Sequence, residues 1–216
     1  MTAPSKAAIR EGCEVLASRD AALARAYSER GIPEWRSGVC EFASLARMIA
    51  YQQVSTKAGA AIWGRVEALC TPLDPETVLA THDDAFRGAG LSRPKVKYVK
   101  AIAEAVQTGA LCFTTLPTIP RTDAVSALTA IKGIGPWSAE IFLMSATGDL
   151  DAFPPGDIGL IESYRLLAGD DTRHDIKAFT ALANAWAPYR GVATHLLWAW
   201  FNHHRGHESA PPSRKS

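Results

Sequence analysis

The segment Leu128-Thr-Ala-Ile-Lys-Gly-Ile-Gly-Pro-Trp-Ser-Ala-Glu140 sets two glycines one residue apart between two helical stretches. Pro136 suits the first position of the second helix, where a missing N–H costs nothing and a fixed φ is an advantage. Gly133 and Gly135 permit a tight turn with positive φ and a close approach of another molecule to the backbone. The N–H groups that open the second helix have no partner within it, and with the helix dipole they favour an anionic oxygen such as a phosphate. An ordinary tight turn between helices also uses glycine, so the segment by itself leaves both readings open.

The rest of the chain reads as helices separated by breakers. Phe42, Leu45, Ala46 and Ile49 form an apolar stripe at i, i+3, i+4 and i+7. Val96, Val99, Ala103 and Val106 keep a similar spacing, with lysines opposite, and Leu196, Leu197, Trp200 and Phe201 mark an apolar terminal helix. Gly31-Ile32-Pro33, Thr71-Pro72, Gly88-Ala89-Gly90, Leu116-Pro117 and Ile119-Pro120 interrupt the pattern. Period-two runs of strand length are scarce. The expected fold is all-α, with about eight to ten helices. The 216 residues, 47% hydrophobic and 21% charged, suffice for one large domain or two lobes. No apolar run approaches the roughly 20 residues of a membrane helix, and residues 1–10 lack a secretory apolar stretch.

Charge is nearly balanced, with 23 Lys and Arg against 22 Asp and Glu. Arg87, Arg93, Lys95, Lys97 and Lys100 nevertheless cluster without an intervening acid, which fits either a basic binding face or a solvated helix face. The four cysteines (Cys13, Cys40, Cys70 and Cys112) are scattered and form no C-x-x-C, which argues against an iron–sulfur cluster, a zinc site and a disulfide framework. Reduced, mostly buried thiols are expected. His203, His204 and His207 lack a carboxylate or cysteine placed to complete a metal site and are expected to be solvated.

Four segments together carry a wider resemblance: residues 42–55 (Phe-Ala-Ser-Leu-Ala-Arg-Met-Ile-Ala-Tyr-Gln-Gln-Val-Ser), residues 90–99 (Gly-Leu-Ser-Arg-Pro-Lys-Val-Lys-Tyr-Val), the hairpin, and Phe153-Pro-Pro-Gly-Asp-Ile158. Pro188-Tyr-Arg-Gly-Val-Ala, followed by a Trp-containing helix, adds a weaker fifth. In this order they resemble the helix-hairpin-helix (HhH-GPD) DNA glycosylase superfamily, in its 3-methyladenine DNA glycosylase II branch. The resemblance implies a two-lobed helical domain over residues 1–204, with a DNA- and base-binding cleft between lobes and no N-terminal β domain. The middle lobe is expected over about 40–117, and the hairpin lobe from the N-terminal helices plus 118–204. A disordered tail is expected over 205–216.

The implied activity is monofunctional hydrolysis of the N-glycosidic bond of alkylated bases, of the 3-methyladenine and 7-methylguanine type, in duplex DNA, initiating base excision repair. Cleavage builds positive charge on the sugar, which a carboxylate stabilises while positioning water. Asp157, following Pro154-Pro155-Gly156 at a helix start, matches the family's catalytic position, although an Asp there is also an ordinary N-cap. Asp149 and Asp151 lie in the preceding loop as rivals. Members that also cut the strand carry a lysine two residues after the second glycine. Trp137 stands there, so no lyase activity is expected. Trp137, Tyr189, Ile141 and Gln52 are the expected base pocket, since an indole face attracts a cationic base. A Trp in a helical protein is also ordinary core. Ile141 replaces a tyrosine common in the family.

An extruded base leaves a gap in the stack. The resemblance assigns Gln53 to fill it, while a Gln-Gln pair ending a helix is also ordinary solvent-facing sequence. Gly133, Ile134, Gly135, Lys132 and Ser138 are the expected phosphate contacts, and carbonyls of Thr129, Ile131 and Gly133 are implied to hold a structural monovalent cation. No cofactor is expected in catalysis. The expected partner is double-stranded DNA with alkylated bases, bound by a monomer without a membrane, in the bacterial cytoplasm at the nucleoid or in a nucleus. Two other readings remain: a non-catalytic hairpin module that only grips DNA, and the same fold acting on deaminated or oxidised bases.

Overall fold

The computed structural model describes residues 3–205, and of the tail expected at 205–216 all but Arg205, His207 included, lies outside them. Twelve α-helices and one 3₁₀ turn are present among the described residues, and no strand. The excess over eight to ten comes from two six-residue helices, Pro75–Ala80 and Asp83–Gly88. One-and-a-half turns are too short to show a 3.6-residue period. No described helix is long and apolar enough to cross a membrane.

The chain divides into two compact units, residues 38–142 and residues 1–37 with 143–216. The first comprises α3 (Phe42–Tyr51), α4 (Thr56–Leu69), α5 (Pro75–Ala80), α6 (Asp83–Gly88), α7 (Arg93–Gln107), α8 (Arg121–Thr129) and the start of α9 (Pro136–Thr147). The second comprises α1 (Lys6–Arg19), α2 (Ala21–Arg30), α10 (Ile158–Ala168), α11 (Ile176–Ala183), the 3₁₀ turn Asn184–Trp186 and α12 (Arg190–His204). The hairpin therefore groups with the middle helices, and the Leu116–Pro120 stretch is internal to that unit. Leu116 is buried, and the Cys40 thiol donates to the Phe113 carbonyl nearby.

Helix starts follow local chemistry. Ser5, Asp20, Ser55, Asp74, Ser92, Asp157 and Asp175 each accept a backbone N–H of the helix they precede, each worth about 1 kcal/mol. The stripe Phe42, Leu45, Ala46 and Ile49 is wholly buried, as its spacing requires. On α7 the buried set is Val96, Val99, Ile102 and Ala103, so Ile102 takes the place expected of Val106.

In the second unit α12 is the central helix, buried continuously from Gly191 to Leu197. Leu16, Leu23, Phe179 and Trp186 pack in one core with its Leu196, Leu197 and Trp200, each contributing on the order of 1.5–3 kcal/mol. Asp20 joins three elements of this unit. Its Oδ1 caps α2 through the Ala22 and Leu23 N–H groups, while Oδ2 accepts from the Tyr164 hydroxyl at 3.1 Å and Trp186 Nε1 at 2.9 Å. Burial and the adjacent carboxylate push the Tyr164 hydroxyl pKa up, so it remains a donor.

Candidate active site

In the unit of residues 38–142, α8 ends at Thr129 and the turn Ala130–Gly135 leads into α9. Only Gly133 has positive φ, at 98°. A Cβ there would lie 2.2 Å from the Tyr98 ring, so glycine is required both by conformation and by the aromatic beneath it. Gly135 meets the expectation of openness differently. Its φ is ordinary, it is exposed, and an added Cβ would touch nothing within 4 Å. Lys132 is exposed and Ile134 is buried, anchoring the turn. Ser138 is also buried, with Oγ 3.5 Å from the Gln52 amide nitrogen. What it can offer a phosphate is the backbone N–H of the first turn.

Gln52 closes α3, and its amide donates to the Gly133 carbonyl at 3.4 Å. Its side chain is thus engaged with the hairpin. Gln53, next in the chain, is exposed and is the one non-glycine residue with positive φ among the described residues, at 56°. Left-handed backbone costs a side-chain-bearing residue about 1–2 kcal/mol, and such strain persists where surrounding structure dictates it. The Lys95 ammonium donates to the carbonyls of Ala50 at 2.8 Å and Gln52 at 2.6 Å. Trp137, in the first turn of α9, keeps 40% of its surface exposed. Ile141, one turn on, is half-buried.

The carboxylate belongs to the other unit. Asp157 Oδ1 accepts the Leu160 N–H at 3.0 Å, capping α10 and fixing the side-chain direction. Gly156, with φ of 75°, turns the chain into that position, packed near Ile176. The loop upstream is pinned to the start of α12. The Asp151 carboxylate accepts from Nε and Nη2 of Arg190 and from its backbone N–H. Gly191 donates to the Leu150 carbonyl at 2.7 Å. Ala152, Phe153 and Pro154 are buried behind it. Asp149 accepts the Asp151 N–H at 2.8 Å. Both rival carboxylates thus serve the loop that carries Asp157.

Two residues of this unit that the sequence did not single out are Arg36, which lies in the charge field of Asp157, and His195, which Arg36 contacts. Arg36 sets its guanidinium over the Trp198 ring, 4.6 Å from the centroid. Partial desolvation lowers the Arg36 pKa from its ordinary value although water reaches the side chain, and the charge of Asp157 opposes that shift. The backbone N–H of Arg36 donates to His195 Nε2 at 3.1 Å, and His195 Nδ1 lies 2.8 Å from the Gly191 carbonyl. This pattern needs a neutral imidazole with its proton on Nδ1. Burial, with Arg36 nearby, lowers the His195 pKa to about 4. Trp35 stacks on the imidazole at 3.9 Å. The available signal was a Trp-Arg pair in a loop after a Gly-Ile-Pro breaker, which no helical pattern explains.

Tyr189 has a different environment from the one expected of it. Its hydroxyl donates to Glu11 at 3.1 Å, and its ring lies where a Cβ on Gly12 of α1 would clash at 2.9 Å. The side chain is a packing contact between α1 and the start of α12. Cys13 and Cys70 are buried as expected, with burial raising the Cys13 pKa to about 12. Cys112 is exposed, and hydrogen bonds from Thr114 and Thr115 lower its pKa to about 7. His203 is exposed, and His204, also exposed, stacks on Trp200 with ring centroids 4.7 Å apart. No group of three or more metal-binding side chains exists among the described residues.

Residues 46–188 match the model of the HhH-GPD superfamily of base excision DNA repair proteins, and the chain belongs to that superfamily. It is similar to YfjP of Bacillus subtilis, 30% identical over 129 residues, 60% of this chain and 45% of that protein. The chain thus spans less than half of that relative's length. DNA-3-methyladenine glycosylase 1 of Schizosaccharomyces pombe is 28% identical over 166 residues, 73% of this chain and 71% of that one. The crystal structure of DNA-3-methyladenine glycosidase from Bacillus halodurans superposes with a TM-score of 0.82 at 36% identity, covering 90% of this chain and 91% of that one.

Proposed function

We propose that this protein is a monofunctional DNA glycosylase that hydrolyses the N-glycosidic bond of alkylated bases in duplex DNA. The observation that carries the reading is Asp157, held by its own helix cap in the loop position that the sequence resemblance implies for the essential carboxylate. The names of the Schizosaccharomyces pombe and Bacillus halodurans relatives support the choice of alkylated bases.

The roles follow from the chemistry. The hairpin, through Gly135 and the first-turn N–H groups of α9, grips a phosphate without reading sequence. Gln53 enters the stack where the damaged base leaves it. The exposed Trp137 offers an indole face to a cationic ring, whose positive charge also makes it a good leaving group. As the bond to the base lengthens, the Asp157 carboxylate stabilises the charge on the sugar and orients the incoming water. Trp137 occupies the place of the lysine that would attack the sugar, and an indole has no nucleophilic amine. Hydrolysis therefore leaves an intact abasic strand.

A monovalent cation would be held by the turn carbonyls of Thr129, Ile131 and Gly133. The Ile131 oxygen accepts the Ile134 N–H at 3.1 Å and the Gly133 oxygen the Gln52 amide, which leaves each a second lone pair. Bound there, such an ion would supply positive charge beside a DNA phosphate and would take no part in bond cleavage.

Base release from methylated duplex DNA by wild type and Asp157→Asn, followed by alkali, tests this reading. Wild type should release 3-methyladenine, with strand breaks only after alkali. Asp157→Asn should lose on the order of 10²–10³ in rate while still binding DNA. Equal activity of the variant overturns the mechanism, and binding by both proteins without base release makes the chain a DNA-gripping module.

A further inference from the structure

We propose that Lys95 is a positioning residue that sets Gln53 for insertion into the DNA stack, an inference that rests on the assignment of Gln53 as the gap-filling side chain. Lys95 occupies the first turn of α7, where a cation opposes the helix dipole. Its ammonium finds compensation at the C-terminal end of α3, on the carbonyls of Ala50 and Gln52. There the dipole has the opposite sign. The Gln52 carbonyl is part of the peptide plane that joins Gln52 to Gln53. Holding that oxygen orients the plane and with it the φ of Gln53, which lies in the left-handed region at 56°.

The same corner is braced from the hairpin. The Gln52 side chain reaches the Gly133 carbonyl, and Tyr98, three residues after Lys95 on α7, underlies Gly133. One turn of α7 thus supports both the residue that enters the stack and the turn that grips the backbone. A lysine committed to two protein carbonyls also differs from Lys132, exposed at the hairpin, which has the freedom to meet a phosphate.

The test compares Lys95→Met, Lys95→Arg and Gln53→Ala with wild type. One readout is the fluorescence change of 2-aminopurine opposite an abasic site at saturating protein. The others are single-turnover excision of 3-methyladenine from duplex DNA and the salt dependence of binding to undamaged duplex. Lys95→Met should lose most of the fluorescence amplitude and at least tenfold in excision rate, with an unchanged salt slope. Lys95→Arg should recover both. Full amplitude in Lys95→Met overturns the proposal, as does a shallower salt slope, which would make Lys95 a phosphate contact. Gln53→Ala separates the two readings. If it keeps full amplitude, the gap-filling assignment itself fails. If it loses amplitude while Lys95→Met does not, only the role of Lys95 fails. Should Lys95→Met not fold, Lys95→Gln provides the same comparison.

Discussion

The guanidinium of Arg36 lies over the indole of Trp198, 4.6 Å from its centroid, within the same compact unit as Asp157. A cation held against an aromatic face has a restricted position, and this one stands in the field of the carboxylate. Replacing Arg36 by methionine keeps much of the stacking volume and removes the charge. Excision should fall about tenfold, or ~1.4 kcal/mol of barrier, with duplex binding little changed. Lysine should restore part of the rate because it returns the charge without the planar stack. Unchanged single-turnover rates in Arg36→Met would remove Arg36 from the electrostatics of the site.

The two hairpin glycines should respond differently to alanine. At Gly133 the added methyl meets both a φ of 98° and the Tyr98 ring, so thermal unfolding should show a loss of a few kcal/mol. At Gly135 the methyl has room and an ordinary φ. Gly135→Ala should fold normally and bind undamaged DNA less tightly, because the methyl stands between backbone and phosphate. Equal unfolding midpoints for both variants would refute this division of roles.

His195 links stability to pH. Its folded pKa, about 4, is below the ordinary value of 6.5. The unfolded chain therefore binds a proton that the folded chain refuses. Its stabilising effect is complete above about 6.5 and declines as pH falls toward 4, by at most about 3 kcal/mol. Denaturant unfolding across this window should be steeper for wild type than for His195→Gln. A parallel pH dependence in the two proteins would show that His195 protonates without unfolding.

Asp20 offers a contrast between losing a charge and losing a hub. Asp20→Asn retains an oxygen able to cap α2 and should cost less than Asp20→Ala. Alanine leaves Trp186 Nε1 and the Tyr164 hydroxyl without their acceptor, and stranded buried donors cost about 1–3 kcal/mol each. Calorimetric midpoints should fall in the order wild type, Asn, Ala. Equal midpoints for Asn and Ala would place the whole effect in the carboxylate charge.

The features legible in the sequence were those written locally. The α3 stripe, the hairpin glycines, Pro136 and the cap at Asp157 depend on neighbours within a few residues, and the structure places each element where that chemistry requires it. Contacts across the chain were not legible. Lys95 and Gln52 are 43 positions apart, Arg36 and His195 159, Tyr189 and Glu11 178. No periodicity encodes such pairs. Lys95 thus read as one member of a basic run and Tyr189 as a pocket wall. The two glycines were also inseparable as letters, because what distinguishes them is an aromatic ring from another helix.

The cap on Asp157 also has an economic side. A side chain used as a reagent must normally surrender rotational freedom each time a substrate arrives. Here Leu160 N–H restrains the carboxylate once, when α10 forms, and the entropy of aiming it is charged to protein synthesis and not to each catalytic cycle. On the proposed reading, the carboxylate is therefore already aimed before any substrate arrives.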